Sequence, residues 1–264
     1  MSHFDIVSRC GKTIRSVEEW GVEARPAKAE HWQDGRSAKE LAKAWINGSG
    51  PAALTALLDL DRATAGLRID HAVAEAQTAF DRWPGGKRNH DLLVTGETLG
   101  GRITIGVEGK ADETFGQTLK SYAAASQRLI AQGTPTNAHL RLDELTTALV
   151  GVTLSRSDVL LPLRYQLFSA VAGTLAEAER HGAQAALVVH EFITEKTTAR
   201  LHAANAFALS AFTERLFATR PPAGAPSWLL GPFHVPAERW AHLHLWIGKI
   251  TTEMTSSSHC YEAT

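Results

Sequence analysis

The stretch from His90 to Lys110 constrains this chain more than any other. It carries two short apolar runs, Leu92–Val94 and Ile103–Val107, joined by a Gly-rich turn, which is the pattern of a β-hairpin. In the second run Ile103, Ile105 and Val107 alternate with Thr104, Gly106, Glu108 and Lys110, so Glu108 and Lys110 share one face of the strand. Asp91 opens the first run and Glu108-Gly109-Lys110 closes the second. Antiparallel pairing brings those ends together, placing two carboxylates and an ammonium at one sheet edge. Such a group can hold a divalent cation and polarise a phosphodiester.

The rest of the chain supplies helices and further strands. Residues 1–34 are poorly periodic. Ser37-Ala-Lys-Glu40 has the form of a capping box, so a helix is predicted from Ser37 to the breaker cluster at Asn47-Gly-Ser-Gly-Pro51. A short second helix follows from Pro51 to about Leu60. Asp70 is placed to N-cap a third over roughly 71–82, with Val73, Ala76 and Phe80 inward. After the hairpin come a helical stretch over about 113–131 and a segment around 143–150 that reads as helix or strand. Next are a long helix over 158–181 and a fully apolar strand from Ala185 to Phe192. A helix over about 198–218 ends before Pro221-Pro222, and a last strand covers roughly 242–250. Helices, strand, strand, helices, strand, helix, strand predict a mixed α/β domain with helices on both faces of a small central sheet. The expected division is an N-terminal helical lobe at 1–65 and an α/β core at 66–264.

Composition narrows the function classes. With 27 Lys and Arg against 28 Asp and Glu, the net charge is −1. Non-specific nucleic-acid binding thus has no global electrostatic support, although a local basic groove stays open. Two cysteines, Cys10 and Cys260, fit a reducing compartment and no disulfide framework. The first residues have neither a charged nor an apolar leader region, and the longest apolar run is too short to span a bilayer. The expectation is a cytoplasmic protein without a membrane partner, either a homodimer or bound to a partner protein.

Hard divalent cations take oxygen ligands, and Mg²⁺ commonly takes one or two carboxylates plus water and phosphate oxygens. Asp91 and Glu108 meet that need, and Lys110 supplies positive charge at a phosphate. Asp91, the hairpin, and Glu108-x-Lys110 resemble the PD-(D/E)xK nuclease superfamily, the restriction-endonuclease-like fold, over roughly residues 71–192. His90 stands where that pattern has Pro. The resemblance implies a core of helix, three strands, helix, strand. It implies Mg²⁺ or Mn²⁺ held by Asp91 and Glu108, and Lys110 acting at the phosphate. Glu75, on the helix expected before the hairpin, matches the position of a further acidic ligand. Arg164 and Gln166 on the 158–181 helix match the position of accessory residues. The implied activity is cleavage of nucleic acid, DNA first, by a metal-dependent phosphodiesterase.

Other readings compete. The same fold can serve as a non-catalytic interaction or nucleic-acid-binding module, which the near-neutral charge favours. Glu108 and Lys110 alone can be a solvated ion pair at a strand end, which contributes about 0–1 kcal/mol. Glu113 is expected to cap the next helix. His242-x-His244, with His190-Glu191 or His259-Cys260, offers a zinc alternative, although such pairs are more often structural. Trp32 is expected to pack the lobe onto the core, with Arg36 on the surface.

Overall fold

A computed structural model describes residues 4–26, 29–84 and 86–254. β1 (Asp5–Ser8) leads through α1 (Val17–Glu23) to α2 (Ser37–Ile46) and α3 (Ser49–Leu58). An antiparallel meander follows, β2 (Arg68–Thr78), β3 (Arg88–Thr98) and β4 (Gly101–Lys110), then α4 (Leu119–Ala131), α5 (Ala138–Val150) and α6 (Tyr165–His181). β5 (Gln184–Ile193), α7 (Ala199–Phe217), β6 (Trp228–Phe233) and β7 (Leu245–Glu253) complete the order. The seven strands form one mixed sheet, β1-β2-β3-β4-β5-β7-β6. β1 is parallel to β2, and β4, β5 and β7 run parallel to one another. Among the described residues no helix is long and apolar enough to cross a membrane.

The expected hairpin forms, with Leu92 opposite Val107 and Val94 opposite Ile105. The predicted helix over 71–82 does not form; that segment is β2. The spacing of Val73, Ala76 and Phe80 imitates a helix, and the buried alternation Ala72, Ala74, Ala76 gives little hydrophobic contrast. Pairing to β1 on one side and β3 on the other decides it, since strand preference depends on sheet context more than on the residue itself.

Two apolar cores sandwich the sheet. One holds Trp20, Leu41, Trp45 and Leu54 of α1–α3 against Ala74, Leu92, Val94 and Ile105. The other holds Leu167, Phe168 and Val171 of α6, with Phe212 of α7, against Leu187, Val189 and Ile247. The described residues up to 65 therefore form one layer of this sandwich and contribute its edge strand, and the first core joins residues on both sides of 65. β2 and β3 each meet both helical layers. Ala72 and Ala74 belong to the first core, whereas Thr78 donates to Glu177 of α6 at 2.6 Å; Leu92 faces the first core and His90 lies against Gly173 of α6. α6 approaches closely because Gly106 and Gly173 lack side chains: a Cβ at Gly106 would strike Thr174, and one at Gly173 would strike Arg88 and His90.

Candidate active site

Where β2 and β4 end and β3 begins, near the start of α6, a cavity of about 250 Å³ is lined by Glu75, Asp91, Glu108, Lys110, Glu113 and Gln166, with Arg36 and His31 also on its wall. Glu108 and Lys110 are 1% and 3% exposed. Lys110 Nζ donates to Glu108 Oε1 at 2.6 Å. The other Glu108 oxygen accepts from Arg88, and Gln166 Nε2 also donates to Oε1. Asp91 Oδ2 accepts the Gly109 N–H at 2.8 Å, which ties the two strand ends together. Glu75 accepts from Asn89 and lies between the Ala74–Leu92 and Ala76–His90 pairs, at a backbone φ of 54°.

Glu75 thus comes from a strand, not from the helix expected there. Gln166 reaches the cavity from the first turn of α6. Arg164 does not: it is the N-cap residue of α6, and its guanidinium donates to the Gly116 carbonyl at 2.6 Å. Glu113 is not a helix cap either. α4 starts later, with Thr118 as its cap, and Glu113 stays in the cavity, hydrogen-bonded to Ser37. Ser37 is free to do this because it is not the cap of α2; Arg36 is, and Glu40 instead accepts the Gly35 N–H at 2.7 Å. Arg36 is held at the cavity by Asp112 at 2.9 Å, while Trp32 packs against the first core as expected.

The electrostatics follow from crowding acids in a confined space. Burial, with the charge of Glu108 added, pushes the Asp91 carboxyl well above its usual range. Burial raises Glu75 and Glu113 too. Glu108 moves the other way: burial opposes its charge, but Lys110 and Arg88 outweigh that and hold it low. Burial disfavours the Lys110 ammonium, yet Glu108, Asp91 and Glu113 keep its pKa above the ordinary lysine value. Lys110 is therefore a fixed cation and not a general base. His90, beneath the site, is pushed down to about 3 by burial, then by Arg88, and stays neutral.

These residues match a hard cation in chemistry. The donors are all oxygen, and Asp91 and Glu75 are acids without a full complement of positive charge. Arg88 is the competitor, because its guanidinium already rests on Glu108. Among the described residues no group of three or more His, Cys, Asp or Glu side chains is poised around a common ion; the fit rests on two carboxylates, the number Mg²⁺ commonly uses.

A family model described as a domain of unknown function, DUF6946, matches residues 13–253. The chain belongs to the DUF6946 family. No curated protein and no solved structure matches it. The family span takes in every residue that lines the cavity and, apart from Ile6, every buried residue of both cores.

Among the described residues the zinc alternative finds no geometry. His242 and His244 precede β7, which starts at Leu245. His244 packs edge-on against His234 and Trp246. His190 bonds Thr252 at 2.9 Å and stacks on Phe192. His259 and Cys260 lie outside the described residues. The residue the sequence reading missed is Arg88. The alternation of Leu92 and Val94, carried back along β3, puts Arg88 on the first-core face; the exchange of faces near Asp91 turns it toward α6 instead, onto Glu108.

Proposed function

We propose that this chain is a metal-dependent phosphodiesterase of the PD-(D/E)xK type that cleaves nucleic acid, with DNA as substrate. One observation carries the reading: the β3–β4 hairpin delivers Asp91, Glu108 and Lys110 to a single cavity, where Glu75 and Gln166 join them. The element order supports it: α3 precedes three antiparallel strands, and α6, which comes after α4 and α5, leads into a strand parallel to β4.

In this reading Asp91 and Glu108 would hold Mg²⁺ or Mn²⁺, with Glu75 on the wall of the same cavity. When bound, the ion lowers the pKa of water and stabilises charge on the leaving oxygen. The chain's own residues do the rest. Lys110, kept protonated by the surrounding acids, places positive charge at the scissile phosphate. Gln166 orients Glu108. The Gly109 N–H fixes Asp91, and α6 with the 111–116 segment walls off water.

A second reading has its own observation. Arg88, Lys110 and Gln166 already satisfy Glu108, which suits a non-catalytic module that keeps the fold. Cleavage of plasmid and oligonucleotide DNA in Mg²⁺ or Mn²⁺ separates the two. The expected result is cleavage by wild type and a loss of about 10²-fold or more in Asp91→Ala and Lys110→Ala, the scale of removing one preorganised charge from an active site. Cleavage equal in all three proteins, or absent in wild type, overturns the phosphodiesterase reading.

A further inference from the structure

The carboxyl edge of the sheet carries a second polar cluster. The parallel strands put Lys110, Glu191 and Thr251 in one register row across β4, β5 and β7. Glu191 is 1% exposed and lies 2.7 Å from Lys249 Nζ and 2.9 Å from His202 Nδ1. These contacts are close but poorly aligned: neither Glu191 oxygen nor His202 Nδ1 has a hydrogen bond of good geometry, and Thr251 Oγ1 is buried without a partner. Ligand sites in sheets with parallel strands favour this carboxyl edge.

His202, Lys249 and Thr251 form the polar side of a cavity of about 840 Å³ beneath α7 and the proline-rich loop 221–226. Its apolar side includes Pro221, Pro222 and Phe207, and Phe207 is 75% exposed. The charges are largely matched in place. Lys249 faces Glu191, and Arg220, also on the wall, is paired with Glu214 at 2.6 Å. Glu253 adds a carboxylate at the end of β7. A phosphate would therefore find little uncommitted positive charge here. A flat, neutral ring with donors and acceptors on its edge fits better. It would lie on Phe207 and meet the Thr251 hydroxyl and the Lys249 ammonium along that edge.

Strand spacing sets the relation to the first cavity. Lys110 and Thr251 are two strand intervals apart, roughly 10 Å, a distance that one or two nucleotides can bridge. We propose that the cavity under α7 receives an unpaired nucleobase from the strand whose backbone lies at Asp91, Glu108 and Lys110, so that the substrate is single-stranded or locally unpaired nucleic acid. This inference rests on the nucleic-acid reading above. Stacking on an exposed aromatic side chain is the usual way to hold an unpaired base, and a base inside a duplex must leave its stack to reach such a pocket.

Fluorescence anisotropy of the full chain in EDTA reads binding apart from cleavage. The probes are a single-stranded DNA of about 12 nucleotides, the same strand with one abasic residue moved along it, and the matching duplex. Wild type should prefer the single strand. One abasic position should weaken it about 5–100-fold, the worth of one stacked base. Phe207→Ala, a change at an exposed position, should cause a similar loss on the intact strand and no further loss on that abasic strand. Thr251→Val should weaken the intact strand only. The proposal is overturned if every abasic position is tolerated, if Phe207→Ala weakens intact and abasic strands alike, if duplex binds as well as single strand, or if nothing binds. Cleavage in Mg²⁺ that needs Lys110 while binding ignores Phe207 leaves the phosphodiesterase reading intact and removes the base pocket. Base-dependent binding without cleavage does the reverse.

Discussion

The two clusters on the carboxyl edge use the same residue types and reach opposite charge balances. Around Glu108 four carboxylates line one cavity with Lys110 among them, and three of the four, Glu75, Asp91 and Glu113, are pushed toward their protonated forms. Around Glu191 one carboxylate meets an ammonium and an imidazole. A surplus of buried acid disfavours the empty fold and favours a cation; a matched set favours the fold as it stands. The first arrangement is what a metal site needs, and the second is what a neutral ligand needs.

The comparison can be broken first at its balanced side. Lys249→Met leaves Glu191 buried with only the half-exposed His202, so a loss of about 3–5 kcal/mol is expected, read from the urea midpoint. Pairing it with Glu191→Leu should recover most of that loss, because replacing both members of a buried pair is often close to neutral. If the double variant is as unstable as the single one, the cluster is not an isolated pair.

On the surplus side, Arg88→Met should cost about 1–3 kcal/mol, since Glu108 keeps Lys110 and Gln166 but loses a charged hydrogen bond. The same change removes the guanidinium that competes for Glu108. The rise in Tm on adding Mn²⁺ is then expected to be larger than in wild type, and a smaller rise would show that Arg88 supports cation binding.

Asp91→Asn should act in the reverse sense. Burial and Glu108 raise the Asp91 pKa, so folding favours its protonated form. Its stabilising contribution is full below the ordinary carboxylate range and is lost as pH climbs through the raised value. The amide carries no such cost and can still accept from Gly109. A gain of about 2–4 °C in metal-free Tm at neutral pH is expected, the worth of roughly 1 kcal/mol in a domain of this size. The pH dependence should flatten, and stabilisation by Mn²⁺ should disappear. The smallest effect belongs to His202→Gln. Its side chain is 42% exposed, so a change of about 0–1 kcal/mol in the urea midpoint is expected.

Legibility in the sequence followed contrast. β4, β5 and α7 stand out because their apolar residues are large and regularly spaced, so the segments at 103–110, 185–192 and 198–218 could be read with little ambiguity. β2 could not, because its inward positions are alanines and its larger apolar residues happen to fall at helical intervals. β6 was hidden by Pro232, a residue that argues against a central strand, and β1 by its length of four residues. At the site, Asp91, Glu108 and Lys110 were legible because strand alternation fixes their faces. Gln166 was legible only through the resemblance. Arg88 and the place of Glu113 were not legible, since both depend on how α6 and the 111–116 segment close over the strand ends, which no local pattern encodes.

The exchange of faces in β2 and β3 bears on how the molecule opens. Each of these strands packs one stretch into the α1–α3 core and sets the next against α6, through Thr78 on β2 and His90 on β3, and the crossover falls at the level of Glu75 and Asp91. Neither helical layer can peel away without unseating strands that the other depends on. Amides in α2 and α6 should therefore exchange with solvent through one shared opening with a common free energy. The acid cavity then exists only while both layers are closed, so it is present whole or not at all.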